Sequence, residues 1–61
     1  MALNLLVVYE IADKASRVTT KKAYREFEKW VSYVLATCHD AAVERAARIQ
    51  LFKLKDMYGV A

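Results

Sequence analysis

The sequence predicts a small all-α fold. It contains no proline, and its single glycine, Gly59, stands near the end of the chain. The absence of both strong helix breakers over so many consecutive residues favours helices over a β fold, which needs many turns. We expect one domain over residues 1–61, built from two long antiparallel helices and a shorter N-terminal helix and completed by self-association.

The N-terminal segment allows two interpretations. In a helix, one face would carry the apolar residues Leu5, Val8, Ile11, Ala12 and Ala15. In a strand, one face would carry Leu3, Leu5, Val7, Tyr9 and Ile11. Periodicity alone does not separate the two over so short a run. We prefer a helix for residues 3–11, because a lone strand needs a partner strand and the chain offers no second candidate of equal quality. The alternative is a strand paired across a dimer.

The second predicted helix begins near Thr19 and Thr20, either of which can cap its first amides. One face of this helix carries the apolar residues Ala23, Phe27, Trp30, Val31, Val34 and Cys38, with Tyr24 and Leu35 at its edge. This spacing of three and four residues is typical of an amphipathic helix. We therefore expect Phe27 and Trp30 to be core residues.

The third predicted helix begins at Asp40, a capping residue, and stops at Gly59. Its main apolar stripe consists of Val43, Ala47, Leu51, Leu54 and Tyr58, widened by Ala42, Ala46 and Ile49. We expect a turn at residues 37–40 because Thr37 and Asp40 both favour helix ends. One long continuous helix is the alternative.

The composition indicates that the chain associates with itself or with a partner. Hydrophobic residues make up 57% of the sequence, against roughly 45–50% in an ordinary globular domain. A chain of 61 residues has little interior in which to bury that excess. The single cysteine, Cys38, excludes a disulfide within the chain, so assembly is the remaining way to stabilise so small a domain.

Catalytic chemistry is not expected. Cys38, His39 and Asp40 supply a nucleophile, a base and an acid, but successive helical residues diverge by about 100°, so their side chains would not converge. His39 is the only histidine, and the sequence has neither paired cysteines for a metal nor a glycine-rich phosphate loop. We therefore predict a protein that is not an enzyme, with no catalytic residues, no cofactor and no metal.

The first candidate surface surrounds Phe52, an aromatic residue on the polar side of the third helix. Aromatic and arginine side chains together are typical of interface anchors. The predicted partner-binding residues are Arg45, Arg48, Ile49, Phe52 and Lys55. The preferred function is a non-catalytic interaction module, a small regulator, inhibitor or assembly factor that binds a protein through a helix face.

The second candidate surface is a basic row. Arg17, Lys21, Arg25 and Lys29 recur every four residues, and Lys22 lies beside them. Such a row can contact the phosphates of a nucleic acid, but the net charge is only +3, and an ordinary solvated face explains the row as well. Nucleic-acid binding is therefore the alternative function, and a self-assembling structural subunit is a third.

The N-terminal run predicts no export and no membrane association. Residues 1–9 contain no basic residue and are too few to cross a bilayer. A single cysteine suits a reducing compartment. The sequence therefore predicts a cytoplasmic protein.

Tyr33 lies off the apolar face of the second predicted helix. We therefore expect its side chain near solvent or a partner.

Overall fold

A computed structural model describes residues 2–59, with side chains described from residue 5 onward. Three helices form: α1 spans Ala2–Ser16, α2 spans Lys21–Thr37 and α3 spans Ala41–Tyr58. The described part of the chain contains no strand. The predicted all-α class with three helices is therefore confirmed, and the strand alternative for residues 3–11 is wrong.

The first two helices meet at a short turn. The Arg17 amide donates to the carbonyl of Lys14 at 3.1 Å, and the Val18 amide donates to the carbonyl of Ala15 at 3.2 Å, which tightens the end of α1. The Thr20 hydroxyl then accepts the amide of Ala23 at 3.0 Å. This cap satisfies one of the unpaired amides at a helix start, so α2 begins where the sequence predicted.

The second turn separates α2 from α3, as predicted, and the continuous-helix alternative is wrong. Residues 38–40 are not helical. The Cys38 amide closes α2 by donating to the carbonyl of Val34 at 2.7 Å. The Asp40 carboxylate caps α3 by accepting the amides of Ala42 at 2.9 Å and Val43 at 3.2 Å. Asp40 is the capping residue that the sequence indicated.

Gly59 ends α3, also as predicted. Its amide donates to the carbonyl of Lys55 at 2.9 Å, and its backbone is right-handed, with φ −91° and ψ −4°. A β-carbon at this position would lie 2.9 Å from Lys55 Cγ and 3.0 Å from Lys55 Cα. Close approach to the preceding turn, rather than a left-handed conformation, is therefore what favours glycine here.

The core lies between the three helices, and α1 makes its most extensive contact with α3. The buried residues are Ile11, Ala15, Val18, Tyr24, Phe27, Val31, Val34, Val43, Ala47 and Leu54. Leu51 and Tyr58 are half-buried and pack against them. The stripe predicted for α3 therefore faces the core.

Two predicted faces are shifted in the structure. On α1, Leu5 and Ala12 are exposed and Val7 is half-buried, because the helix turns Ile11 and Ala15 toward α3. On α2, Tyr24 is buried and Trp30 is only half-buried. The prediction that Trp30 is a core residue is therefore correct only in part.

Trp30 lies at the edge of the core, on the side of α2 that faces the end of α1. The centre of its ring is 6.2 Å from the centre of the Phe27 ring. Lys14 Nζ lies over the Trp30 indole, 5.0 Å from the ring centre. A cation over an aromatic face is a favourable electrostatic contact. This contact ties the last turn of α1 to the middle of α2.

Candidate protein-binding surface

The outer face of α3, defined here as Arg45, Ile49, Phe52 and Asp56, points away from the buried stripe of the same helix. Phe52 is 79% exposed and Ile49 is 48% exposed, and both charged residues are exposed. Ile49 and Ala42 were expected to widen the core, and both are exposed instead. Phe52 was predicted to project from the polar side, and the structure places it there.

A shallow hollow lies beside these side chains, toward the start of α3. It has a volume of about 430 Å³ and is lined by Ala41, Ala42, Arg45, Ala46 and Ile49. Three alanines leave this space because their side chains end at Cβ. The outer face of α3 therefore presents a protruding aromatic ring and, about two turns earlier, a depression with an apolar floor.

The other two predicted partner-binding residues lie at the flank of this face. Arg48 pairs with Glu44 at 3.7 Å in an exposed i, i+4 ion pair, which contributes little to stability. Lys55 lines a depression together with residues from the start of α2. All five predicted partner-binding residues are exposed, and Arg48 and Lys55, four residues before and three residues after Phe52, are the neighbours of Phe52 on the helix surface.

The basic face of α2, defined here as Lys21, Lys22, Arg25 and Lys29, is exposed along its whole length. It lies opposite the buried residues Phe27 and Val34. At about 100° per residue, Glu28 and Glu26 fall at its two edges and the arc between them carries no acid. Tyr33, 67% exposed, lies on this arc, which confirms its predicted position near solvent.

Arg17 does not belong to the basic face. The Thr20 cap starts α2 at Lys21, so Arg17 is left in the turn that follows α1. There its Nε lies 3.3 Å from a carboxylate oxygen of Asp13. The four-residue periodicity that linked Arg17 to Lys21 in the sequence therefore does not correspond to one continuous helix.

The start of α2 and the end of α3 share a small depression of about 190 Å³. It is lined by Lys21, Tyr24, Arg25, Glu28, Lys55, Tyr58 and Gly59. The Tyr24 hydroxyl donates to Glu28 Oε2 at 3.4 Å. Burial raises the pKa of Tyr24 above its usual value, and the nearby Glu28 carboxylate raises it further. The phenol therefore ionises only at a more alkaline pH than an ordinary tyrosine.

Cys38, His39 and Asp40 form the turn between α2 and α3. Cys38 is half-buried against the core, and His39 is exposed. The Asp40 carboxylate is engaged by the first amides of α3. Each of the three residues thus has a place in the helix–turn–helix connection.

A second exposed apolar surface was not predicted. The outer stripe of α1, defined here as Leu5, Leu6 and Tyr9, is exposed, with Tyr9 at 72%. The sequence contained one signal for it: the run from Leu5 to Tyr9 is apolar without interruption, so a helix there is apolar on more than one side. Only one of those sides fits against α3.

Two further findings limit the kinds of site in the described residues. No group of three or more His, Cys, Asp or Glu side chains lies close enough together to hold a metal ion. None of the described helices has the length and apolar character needed to cross a membrane.

Comparison with known proteins identifies no relative: no family model, no curated protein and no solved structure matches this chain. A functional proposal therefore depends on the chain's own surfaces.

Proposed function

We propose that this protein is a non-catalytic interaction module that binds a protein partner through the outer face of α3, as a small regulator, inhibitor or assembly factor. The exposure of Phe52 is the observation that carries the proposal. A phenylalanine that is 79% exposed, beside Ile49 and Arg48 on a regular helix, forms a patch with the composition of an interface anchor. Burial of this ring by a partner would remove its apolar surface from water and so stabilise the complex.

The position of Phe52 on a packed helix strengthens this proposal. Val43, Ala47 and Leu54 on the opposite side of α3 are buried, and Asp40 caps the helix start. The outer face is therefore held in place before binding, and little conformational entropy is lost when a partner docks. An anchor on a loop would not have this advantage.

The proposal includes an antiparallel arrangement of α2 and α3 and a cytoplasmic location. The short connection over residues 38–40 supports the antiparallel arrangement, as does the depression that joins Lys21 and Tyr24 from the start of α2 to Lys55 and Tyr58 from the end of α3. Self-association, with no cofactor and no metal, belongs to the same proposal.

Nucleic-acid binding is the second candidate, and the basic face of α2 favours it. Four basic side chains lie on an acid-free arc together with Tyr33, and exposed aromatic rings can stack on bases. Glu26 and Glu28 at the edges and the net charge of +3 weigh against it, because nucleic-acid-binding domains usually carry a larger basic excess. We therefore rank it second.

Site-directed photocrosslinking in cells tests the preferred function. A photoreactive phenylalanine analogue replaces Phe52 in one variant and Tyr33, an exposed aromatic on α2, in the matched control. We expect a discrete protein adduct from position 52 and none from position 33. Absence of an adduct from position 52, or the same adducts from both positions, would contradict the proposal.

A further inference from the structure

We propose that the depression between the start of α2 and the end of α3 binds a doubly charged phosphate group, as free phosphate or as a phosphate monoester. Three basic side chains from the two helices, Lys21, Arg25 and Lys55, line this depression of about 190 Å³. Pockets for drug-sized ligands measure roughly 300–1,000 Å³, so a depression of this size suits one small anion. The ligand is not a protein surface, and the site therefore goes beyond the proposed function and does not depend on it.

The three cations come together from separate parts of the chain. Lys21 is the first residue of α2, Arg25 lies one turn later, and Lys55 lies in the last turn of α3. In the described part of the chain none of the three forms an ion pair, since the ion pairs found there lie elsewhere on the surface. Like charges four residues apart on a helix, such as Lys21 and Arg25, repel one another. A bound anion would remove this repulsion.

Gly59 leaves room for the Lys55 side chain at the edge of the depression. Gly59 itself lines the depression, and a β-carbon at this position would lie 2.9 Å from Lys55 Cγ. A larger residue there would therefore displace the stem of Lys55. The glycine thus helps to keep both the depression open and the third cation within it.

The buried phenol of Tyr24 can supply a neutral donor. Tyr24 is 5% exposed and lines the depression. Its hydroxyl donates to Glu28 Oε2 at 3.4 Å, which is long for a hydrogen bond between two oxygens. Phosphate oxygens are strong acceptors, so a bound phosphate can accept the phenol hydrogen in place of Glu28.

The charge of the depression matches a dianion. Among the described residues that line it, Glu28 is the one carboxylate, so the three cations leave an excess of two positive charges. A phosphate monoester carries about −1.5 to −2 charges at pH 7, whereas each phosphodiester of a nucleic acid carries one negative charge. The local charge therefore favours a monoester or free phosphate over the backbone of a nucleic acid.

The experiment is an NMR titration of the ¹⁵N-labelled full chain with sodium phosphate near pH 7.5, with sodium chloride adjusted to hold the ionic strength constant. We expect the amide signals of Lys21, Arg25 and Gly59 to shift and to saturate, with a dissociation constant on the order of 1 mM. Dimethyl phosphate, a singly charged diester, should bind at least about fivefold more weakly because it lacks the second charge. A short alanine peptide that carries one phosphoserine distinguishes the two sources of the group. Tighter binding than that of free phosphate would identify a phosphorylated side chain, and weaker binding would identify free phosphate.

Lys55→Gln and Lys53→Gln form a matched pair of variants. Each removes one exposed positive charge near the end of α3, but only Lys55 lines the depression. We expect Lys55→Gln to weaken phosphate binding at least about fivefold, through loss of a charge-assisted hydrogen bond, and Lys53→Gln to leave it within about twofold. Glu28→Gln should strengthen binding, because it removes the negative charge beside the anion. Far-UV circular dichroism establishes that each variant is folded.

Three results would overturn the proposal. The first is the absence of a saturable shift with phosphate. The second is an equal loss of affinity in Lys55→Gln and Lys53→Gln, because the anion would then respond only to the overall charge of the chain. The third is binding of dimethyl phosphate as tight as that of phosphate, because the depression would then not select a dianion.

Discussion

Phe27 and Trp30 occupy adjacent turns of α2 and differ in what surrounds them. Phe27 is buried, whereas Trp30 is half-buried, with one side of its indole against Lys14. Truncation of a buried aromatic residue removes its apolar burial and leaves a cavity. Truncation at the edge of a core opens the site to solvent instead.

The two residues should therefore differ in their effect on stability. We expect Phe27→Ala to lower the free energy of unfolding by about 3–5 kcal/mol and Trp30→Ala to lower it clearly less. Urea unfolding followed by far-UV circular dichroism measures both. Equal losses, or a larger loss for Trp30→Ala, would show that Trp30 is the more important core residue.

Tyr24 should make stability fall at alkaline pH. Its folded pKa is raised, first by burial and then by Glu28, whereas in the unfolded chain the phenol ionises near its usual value of 10.0. Folding therefore favours the protonated phenol, and the free energy of unfolding decreases as pH rises from the unfolded pKa through the folded one. Below the unfolded pKa the effect is absent.

Tyr24→Phe tests this linkage, because it keeps the ring and removes the ionisable group. Between about pH 8 and pH 11, we expect the variant to lose less stability than the wild type in urea unfolding. Glu28→Gln should lie between them, since it removes the secondary cause and leaves burial. Parallel pH profiles for wild type and Tyr24→Phe would contradict the assignment.

At the scale of the element, the helix bounds were predictable because the capping residues are local signals. Thr20 and Asp40 each accept an amide two or three residues ahead, and that requirement depends only on neighbouring sequence. The orientation of α1 was not predictable in the same way. Leu5 and Ile11 fit one helical face on paper, but packing against α3 selected Ile11 and Ala15 and left Leu5 exposed.

The same difference between local signals and packing explains which features of the candidate surfaces were predictable from the sequence. The exposed position of Phe52 was predicted correctly because its polar neighbours on α3 mark the outer side of that helix. Arg17 was assigned to the basic row on spacing alone, and the break between α1 and α2 removed it. The hollow lined by alanines had no signal in the sequence, since small residues indicate a depression only when the surrounding surface is known.

The basic face of α2 should behave as a solvated face toward nucleic acid and toward a protein partner bound through α3. We expect the variant with Lys21, Lys22, Arg25 and Lys29 all changed to Glu to remain folded, because all four are exposed and surface changes usually alter stability by less than about 0.5 kcal/mol each. Its affinity for a protein partner bound through α3 should be largely kept. Fluorescence anisotropy with single-stranded and duplex DNA measures the alternative. Tight binding that weakens steeply with salt and is lost in the variant would establish the nucleic-acid function instead.

At the scale of the whole molecule, the three helices enclose one core and leave apolar side chains outside it. The molecule measures 36 × 18 × 15 Å, so little of it lies far from solvent. Leu5, Leu6 and Tyr9 on α1 and Ile49 and Phe52 on α3 remain exposed. The apolar excess seen in the composition is therefore on the surface, where it can contribute to binding.

The most direct test of the protein-binding surface is the change in dissociation constant caused by Phe52→Ala. The partner is the protein identified by crosslinking at position 52. Isothermal titration calorimetry measures its affinity, or sedimentation if that partner is a second copy. Truncation of a central anchor commonly costs about 2 kcal/mol or more, so we expect affinity to fall at least thirtyfold. The matched control, Tyr33→Ala, removes an exposed aromatic from α2 and should leave affinity within about threefold. Equal affinities for Phe52→Ala and the wild type, with both proteins folded, would contradict the assignment of the outer face of α3 as the binding surface.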